Sequence, residues 1–352
     1  MNKNEMPKYI GRDTLTVAEC MQKIDANTSG ILFLVDRDDR LTGCITDGDI
    51  RRFLLAGGKM TDMAAGAANH NPKLAYDREE AGTLYHKKNY VAIPIIDSGR
   101  KLIDIYRGTG SEKRNKVPID LPVVINAGGK GTRLEPFTKV LPKPLIPVGE
   151  LPIIEHIMHE FQGYNCSEFH IIVNYKRELM KAYFAESDRD YDITWYDEHK
   201  PLGTGGGLYL LKNRIDHTFF FTNCDNLLTA NYARMLEFHR ENGNAVTMVC
   251  AYKNFHIPYG VVEMGVNGKL EGMREKPLMS FLTNTGIYIV EPCVLEGIED
   301  DVAIGFPDII MKEVARGRKA GVFPVSENEW MDMGQLSELE KMRARLYGEE
   351  SK

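Results

Sequence analysis

Gly128-Gly129-Lys130-Gly131-Thr132-Arg133-Leu134 stands directly behind the apolar run Leu121 to Ala127, and Pro142-Lys143-Pro144 follows shortly after. An uninterrupted apolar run suits a strand buried on both faces. The glycines therefore form a turn at the end of an inner strand, where open α/β sheets bind ligands. Glycines at 128, 129 and 131 let main-chain N–H groups approach a polyphosphate closely. Lys130, Arg133, Lys139 and Lys143 gather positive charge in a chain of net charge -6. A solvated basic face would explain those charges, but not the glycines and prolines between them. Two common phosphate loops do not fit. A P-loop needs glycine where Val124 stands and no glycine after its lysine; the dinucleotide fingerprint needs glycine where Leu134 stands.

Downstream, strands and helices alternate, as a mostly parallel open sheet requires. Phe169 to Val173 and Thr218 to Thr222 read as strands. Ile153, Ile154, Ile157, Met158 and Phe161 recur at helical spacing. Ser337 to Leu346 reads as a closing amphipathic helix, with Ser337 as N-cap and Glu340 completing a capping box.

Upstream, the grammar changes. Ile31 to Asp36 is a short apolar strand ending in an acid, followed by a turn, a second strand at Leu41 to Thr46, and a helix opening at Asp47. The pattern returns at Val91 to Asp97, Ser98 to Lys101 and Leu102 to Tyr106, with helical segments at Val17 to Asp25 and Arg78 to Asn89 ahead of each copy. A repeated β-β-α unit predicts two halves packed about a pseudo-twofold axis. The small and charged stretch from Gly108 to Pro118 reads as an exposed linker. The expected domains are residues 1–112, a linker at 113–118, and residues 119–352.

Bulk properties narrow the partners. The acidic balance gives no general attraction for nucleic acid or an anionic membrane. No apolar run approaches the roughly 20 residues of a membrane span, and the polar Met1 to Tyr9 lacks a signal-peptide core. Six scattered cysteines suit reduced thiols better than disulfides or a zinc site. These features predict a cytoplasmic protein.

The run Gly128 to Leu145, reading Gly-Gly-x-Gly-Thr-Arg-Leu-x-Pro-x-Thr and then Pro-Lys-Pro-Leu, resembles the signature of the sugar-phosphate nucleotidyltransferases (pyrophosphorylases). Leu202 to Gly207, Glu275-Lys276-Pro277, Asn284 to Tyr288 and Trp330 to Gly334 are similar to further blocks of that family, in its order. The resemblance implies a Rossmann-like (GT-A-type) α/β domain with a mixed, mostly parallel sheet. It implies attack by a sugar 1-phosphate on the α-phosphorus of a nucleoside triphosphate, releasing pyrophosphate. Both reactants are anionic, so such catalysis is chiefly charge neutralisation and alignment. By this resemblance Arg133 holds the leaving pyrophosphate, Lys143 the α-phosphate and Lys276 the sugar phosphate. Glu275 accepts from sugar hydroxyls, and Gly128, Gly129, Gly131, Thr132, Gly203, Gly205, Gly260 and Asn284 line the substrates. Asp225 and Asp332 stand at the family's two Mg2+ positions, and magnesium needs only a few hard oxygen ligands from protein. Where the family commonly has Gly-Asp, this chain has Cys224-Asp225. The segment Glu198 to Gly205 resembles guanylyltransferases more than uridylyltransferases. Just before the second glycine loop stand Asp197, Glu198, His199 and Lys200. A carboxylate here, with Glu198 as the candidate, can accept from guanine N1–H and N2–H together. The expected nucleotide is GTP, with UTP, CTP or dTTP as the alternative. The expected sugar is a hexose-, heptose- or hexosamine-1-phosphate for surface glycan or polysaccharide synthesis.

Leu41 to Arg51 resembles the strand-to-helix segment of a CBS domain, which implies a small tandem α/β CBS pair. Thr46 and Asp49 then stand where an adenine nucleotide's phosphate and ribose are contacted. In the second copy Arg107 and Gly110 replace them, so one competent and one degenerate site are expected. CBS pairs commonly dimerise, which predicts a homo-oligomer. Two other classes compete with this reading: a catalytically silent nucleotide sensor, and a glycosyltransferase. Retention of both carboxylates and the lysines opposes the first; Asn223-Cys224-Asp225 lacks the Asp-x-Asp of the second. His156 and His159 have no evident third ligand and read as packing.

Overall fold

The structure, a computed structural model, describes residues 6–27, 29–88, 90–107, 116–185 and 189–347. In chain order the N-terminal region runs β1 (Ile10–Arg12), α1 (Val17–Asn27), β2 (Ile31–Val35), β3 (Leu41–Thr46), α2 (Asp47–Leu55), α3 (Arg78–Lys88), β4 (Ile93–Ile96) and β5 (Leu102–Tyr106). Then come β6 (Val123–Asn126), α4 (Phe137–Val140), β7 (Pro147–Val148), β8 (Leu151–Pro152), α5 (Ile153–Gln162), β9 (Glu168–Val173), α6 (Arg177–Ala185), β10 (Asp192–Asp197) and β11 (Phe219–Asn223). The remainder is β12 (Asn226–Leu228), α7 (Tyr232–Asn242), β13 (Val246–His256), β14 (Val261–Met264), β15 (Leu270–Arg274) and β16 (Leu278–Val290). It closes with α8 (Cys293–Glu296), α9 (Phe306–Ala315), β17 (Ala320–Ser326), β18 (Trp330–Asp332) and α10 (Leu336–Tyr347).

Two compact units share this chain. One takes in Met1–Lys113, Tyr252–Leu282 and Val325–Asn328; the other takes in Arg114–Ala251, Thr283–Pro324 and Glu329–Lys352. The first of these divisions lies between residues 113 and 114, and residues 113–115 of the expected linker lie outside the described residues. The excursion from Tyr252 to Leu282 clusters with the N-terminal region and not with the sheet on either side of it. The physical reason is visible at Tyr252, which is buried in one apolar cluster with Val17, Met21, Ile24 and Ile50.

In the first unit both expected hairpins of the repeat form, and the segment after the second lies outside the described residues. β2 pairs antiparallel with β3, and β4 pairs antiparallel with β5. Asp36 Oδ1 accepts from the backbone N–H groups of Asp38 and Arg40, and Asp97 Oδ1 accepts likewise from Gly99 and Lys101. Leu41 N–H donates to Arg100 O at 2.8 Å, and Leu102 N–H donates to Asp39 O at 3.1 Å. Each bond is the image of the other, which is what a pseudo-twofold axis between the turns demands. Ile31, Phe33, Ile96 and Ile105 close the core between the two hairpins.

In the second unit a seven-stranded sheet has the order β10-β9-β6-β11-β16-β13-β17. β10, β9, β6 and β11 pair in parallel, and β16 joins β11 antiparallel. Growth from β6 runs to β9 and β10, then the chain returns to place β11 on the other side. The order therefore reverses at β6/β11, the position at which such sheets open a ligand crevice. Phe219, Phe220 and Phe221 are fully buried on this inner strand. Phe220 meets Phe161 and Tyr232, while Phe221 meets Tyr288 and Phe306. Each ring buried this way stabilises the fold by roughly 2–3 kcal/mol.

Ile153, Ile154, Ile157, Met158 and Phe161 form the buried stripe of α5. The closing helix corrects the expected cap. α10 begins at Leu336, Gln335 O receives the N–H groups of Glu338 and Leu339, and Ser337 lies inside the first turn. A favourable cap sequence one residue inside the helix lost to the apolar register that buries Leu339 and Met342.

Candidate active site

Three loops follow the carboxyl ends of parallel strands in the second unit and enclose a cleft of about 410 Å³. After β6 come Gly128, Gly129, Gly131, Thr132 and Arg133; after β10 come Glu198, Pro201, Leu202, Gly203 and Thr204; after β11 come Asn223, Cys224 and Asp225. Lys143 and Gly334 complete the lining.

Asn126 and Asn223 are register partners at the ends of β6 and β11. Asn126 Nδ2 donates to Thr204 O at 3.2 Å, and its Oδ1 accepts from Gly128 N–H at 3.4 Å. One side chain thus ties the two glycine loops together. Beneath the second loop, Thr204 Oγ1 accepts from Phe306 N–H at 3.0 Å. Gly203 has φ +78, and a Cβ there would lie 2.7 Å from Ile304 O. Gly205 backs onto Phe306 and Ile309 and does not line the cleft.

Glu198 sits where the two glycine loops converge. A Cβ on Gly128 would come within 2.7 Å of its Oε2, and one on Gly207 within 2.4 Å of its Oε1. Any larger residue at either position would displace the carboxyl group. The residue is only 4% exposed, and Oε1 has no hydrogen-bond partner among the described residues. Burial pushes its pKa up from 4.5 to about 7, partly offset by a backbone hydrogen bond from Leu202. The cleft wall therefore holds a carboxyl group that is mostly withdrawn from solvent.

Cationic side chains also line the cleft. Lys143 Nζ donates to Asp225 Oδ2 in a mostly buried ion pair. Gly131, at φ +66, lets its loop pass against Lys143, since a Cβ there would lie 3.0 Å from that side chain. Of the four basic residues in the motif, Arg133 and Lys143 face the cleft. Lys139 instead pairs with Glu135 at 3.3 Å on the surface.

Asp225 and Asp332 are brought together by a two-stranded ladder. β12 pairs antiparallel with β18, Asn226 opposite Asp332, and Met333 N–H donates to Asp225 O at 2.8 Å. Asp332 also lies against Gly334, where a Cβ would meet its Oδ2 at 2.9 Å. Asp225 lines the cleft and Asp332 stands beside it on the paired strand; two carboxylates of this kind suit a hard divalent cation that keeps water and phosphate as its other ligands. Among the described residues no group of three or more His, Cys, Asp or Glu could hold a metal without such help.

The remaining expected residues lie elsewhere. Gly260, Glu275 and Lys276 belong to the first unit. There a Cβ on Gly260 would lie 3.1 Å from Glu275 Oε2, and Lys276 takes a left-handed backbone at φ 43. Asn284 donates to Tyr288 Oη at 2.6 Å and accepts from Gly286 N–H at 3.0 Å, away from the cleft lining. Thr46 and Asp49 form a full capping box at the start of α2: Asp49 accepts from Thr46 N–H and Oγ1, and Thr46 Oγ1 accepts from Asp49 N–H. In the second copy Arg107 stacks on Tyr9 with its guanidinium 4.7 Å from the ring centre, and Gly110 is outside the described residues. His156 bonds Val148 O at 2.8 Å, a packing role.

Asn126 was not singled out by sequence, and Thr204, Asn223 and Gly334 stood inside quoted motifs without a role of their own. A polar residue closing an apolar strand just before a glycine loop, as Asn126 does, was the available signal.

With the geometry in place, relatives can be compared. The nucleotidyl transferase family matches residues 122–347, and the CBS domain family matches residues 5–56. The chain belongs to the nucleotidyl transferase family. It is 34% identical over 228 residues to a mannose-1-phosphate guanyltransferase of Schizosaccharomyces pombe, covering 61% of each chain. It is 32% identical over 223 residues to the bifunctional protein GlmU of Methanococcus maripaludis, covering 61% of this chain and 51% of that one. The chain thus spans about three fifths or less of these curated relatives. Among solved structures, a putative glucose-1-phosphate thymidylyltransferase from Bacillus anthracis superposes with a TM-score of 0.52 at 22% identity. It covers 66% of this chain and 97% of that one, a likeness of fold. The CBS match covers the first copy of the N-terminal repeat; the second copy stands on its hairpin and its reciprocal bonds. Among the described residues no helix is long and apolar enough to cross a membrane.

Proposed function

We propose that this enzyme condenses GTP with a sugar 1-phosphate to give a GDP-sugar and pyrophosphate. The observation that carries the reading is Glu198, a mostly buried carboxyl group of the cleft lining whose Oε2 stands against Gly128 of the first glycine loop. Guanine presents N1–H and N2–H side by side, a donor pair that uracil, thymine and cytosine do not offer. The guanyltransferase relatives support the same base.

Arg133 and the first glycine loop receive the β- and γ-phosphates, while Lys143 neutralises charge on the α-phosphate. Asp225 and Asp332 hold Mg2+, which supplies charge neutralisation on the phosphates. With the triphosphate bound, the ammonium of Lys143 exchanges Asp225 for phosphate oxygen, so the ion pair keeps both groups desolvated and aligned beforehand. Lys276 and Glu275 bind the phosphate and hydroxyls of the sugar. The sugar is of the hexose, heptose or hexosamine class, feeding glycan assembly, and the N-terminal pair takes an adenine nucleotide at Thr46 and Asp49. The test is pyrophosphate release with Mg2+ across GTP, ATP, UTP, CTP and dTTP, each with mannose, glucose, glucosamine and heptose 1-phosphates. GTP-dependent release supports the reading; faster turnover of UTP or dTTP overturns it.

A further inference from the structure

Lys276 reaches its place through a strand excursion, and the first unit holds that excursion by two separate devices. The first is apolar. Tyr252, where the excursion leaves the sheet, is 8% exposed and packs in the cluster formed by Val17, Met21 and Ile24 of α1 and Ile50 of α2. The second is polar and continuous. Ser326 Oγ donates to Asp25 Oδ1 on α1. The next residue, Glu327, accepts through Oε2 from Asn254 N–H at 3.3 Å. Asn254 Oδ1 in turn accepts from Ser280 Oγ at 2.6 Å. That line runs from the N-terminal helix to a residue four positions beyond Lys276 on the same chain segment.

We infer that the N-terminal region is a positioning element for the sugar-phosphate loop: through Tyr252 and the Asp25–Ser326, Glu327–Asn254–Ser280 line it sets where Glu275 and Lys276 stand. The inference rests on the reading that Lys276 binds the sugar phosphate. It differs from nucleotide sensing, since it needs no ligand at Thr46 and Asp49. Two flexible strands alone would leave Lys276 a range of positions, and fixing a charged side chain in advance removes that ordering cost from substrate binding. None of the residues in these contacts lines the cleft.

Full-length Tyr252→Ala and Asn254→Ala are compared with Tyr252→Phe and Ile95→Ala. Ile95 belongs to a separate apolar cluster of the second repeat and controls for general loosening of the region. Hydrogen exchange is followed over residues 270–282 and over 123–126, and kinetics use the best pair from the substrate panel. Tyr252→Ala and Asn254→Ala are expected to speed exchange at 270–282 only. They are expected to raise the KM for sugar 1-phosphate about tenfold while the KM for the triphosphate stays within a factor of two. Tyr252→Phe keeps the ring in the apolar cluster and falls closer to the native values than Tyr252→Ala, and Ile95→Ala leaves that KM ratio unchanged. Unchanged exchange at 270–282, equal rises in both KM values, or the same split in Ile95→Ala overturns the inference. Lys276→Ala separates the two readings: a rise confined to the triphosphate KM sinks the role given to Lys276, whereas exchange at 270–282 still decides the anchoring.

Discussion

Lys143 donates its ammonium to the carboxylate of Asp225 across the floor of the cleft, and both side chains are largely withdrawn from solvent. A paired charge in such a place is costly to break, because the partner left behind is buried and uncompensated. Lys143→Met should therefore lower stability measurably as well as activity. Loss of one preorganised charge aimed at a reacting phosphate lowers kcat by about 10²–10³-fold. Circular dichroism melting and pyrophosphate release on the same sample check both effects. Native activity in Lys143→Met would exclude Lys143 from the chemistry.

Asp225 and Asp332 should share one cation. Asp332→Asn keeps the size and removes the charge, so the Mg2+ concentration for half-maximal rate rises about tenfold or more. EDTA abolishes turnover, and Mg2+ restores it. A variant whose metal dependence matches the native curve would remove Asp332 from the metal site.

Glu198 gives a pH signature. Its pKa is raised to about 7 by burial, so the ionised acceptor becomes scarce below that pH and the KM for GTP rises as pH falls. Glu198→Gln flattens that profile and shrinks the preference for GTP over UTP by about 10–100-fold, the cost of losing one bidentate match. A stability effect of definite sign accompanies it. The folded carboxyl holds its proton between its unfolded pKa near 4.5 and about 7, whereas the unfolded one loses it. The native state therefore loses stability as pH rises through that window, and the loss is complete above it. Glu198→Gln should melt higher than native protein at pH 8, by about 1–3 kcal/mol, and gain nothing at pH 4. A variant less stable at pH 8 would show that the carboxyl group is satisfied in the fold.

Thr46 and Asp49 already serve α2 as its capping box. Asp49→Ala therefore costs about 1 kcal/mol with no ligand present. Millimolar AMP or ATP raises the melting temperature of the native chain, and Asp49→Ala loses that rise. Equal responses in both proteins would leave the capping box as the only role of these residues.

Three strands of the large sheet, β6, β9 and β11, were legible because short apolar runs such as Phe219 to Phe221 suit a strand buried on both faces; β10, β13, β16 and β17 were not read. The first glycine loop of the cleft was legible because glycines and cations stood together at a strand end. The contributions of Asn126 and Gly334 were not, since each depends on a neighbour remote in sequence: Thr204 for one, Asp332 for the other. Position within the fold also outruns local pattern at Tyr252. Its sequence reads as ordinary strand, and only tertiary packing assigns it to the cluster of Val17 and Ile24. Ser337 failed as a cap for a related reason, because burial of Leu339 and Met342 set the helix start.

The most direct test of the whole account is the initial rate of pyrophosphate release with GTP and with UTP, each against the panel of sugar 1-phosphates, for native enzyme and Glu198→Gln. The account predicts magnesium-dependent release with GTP in the native enzyme and a collapse of the GTP preference in the variant. Release that favours UTP in the native enzyme, or a preference untouched by Glu198→Gln, would contradict it.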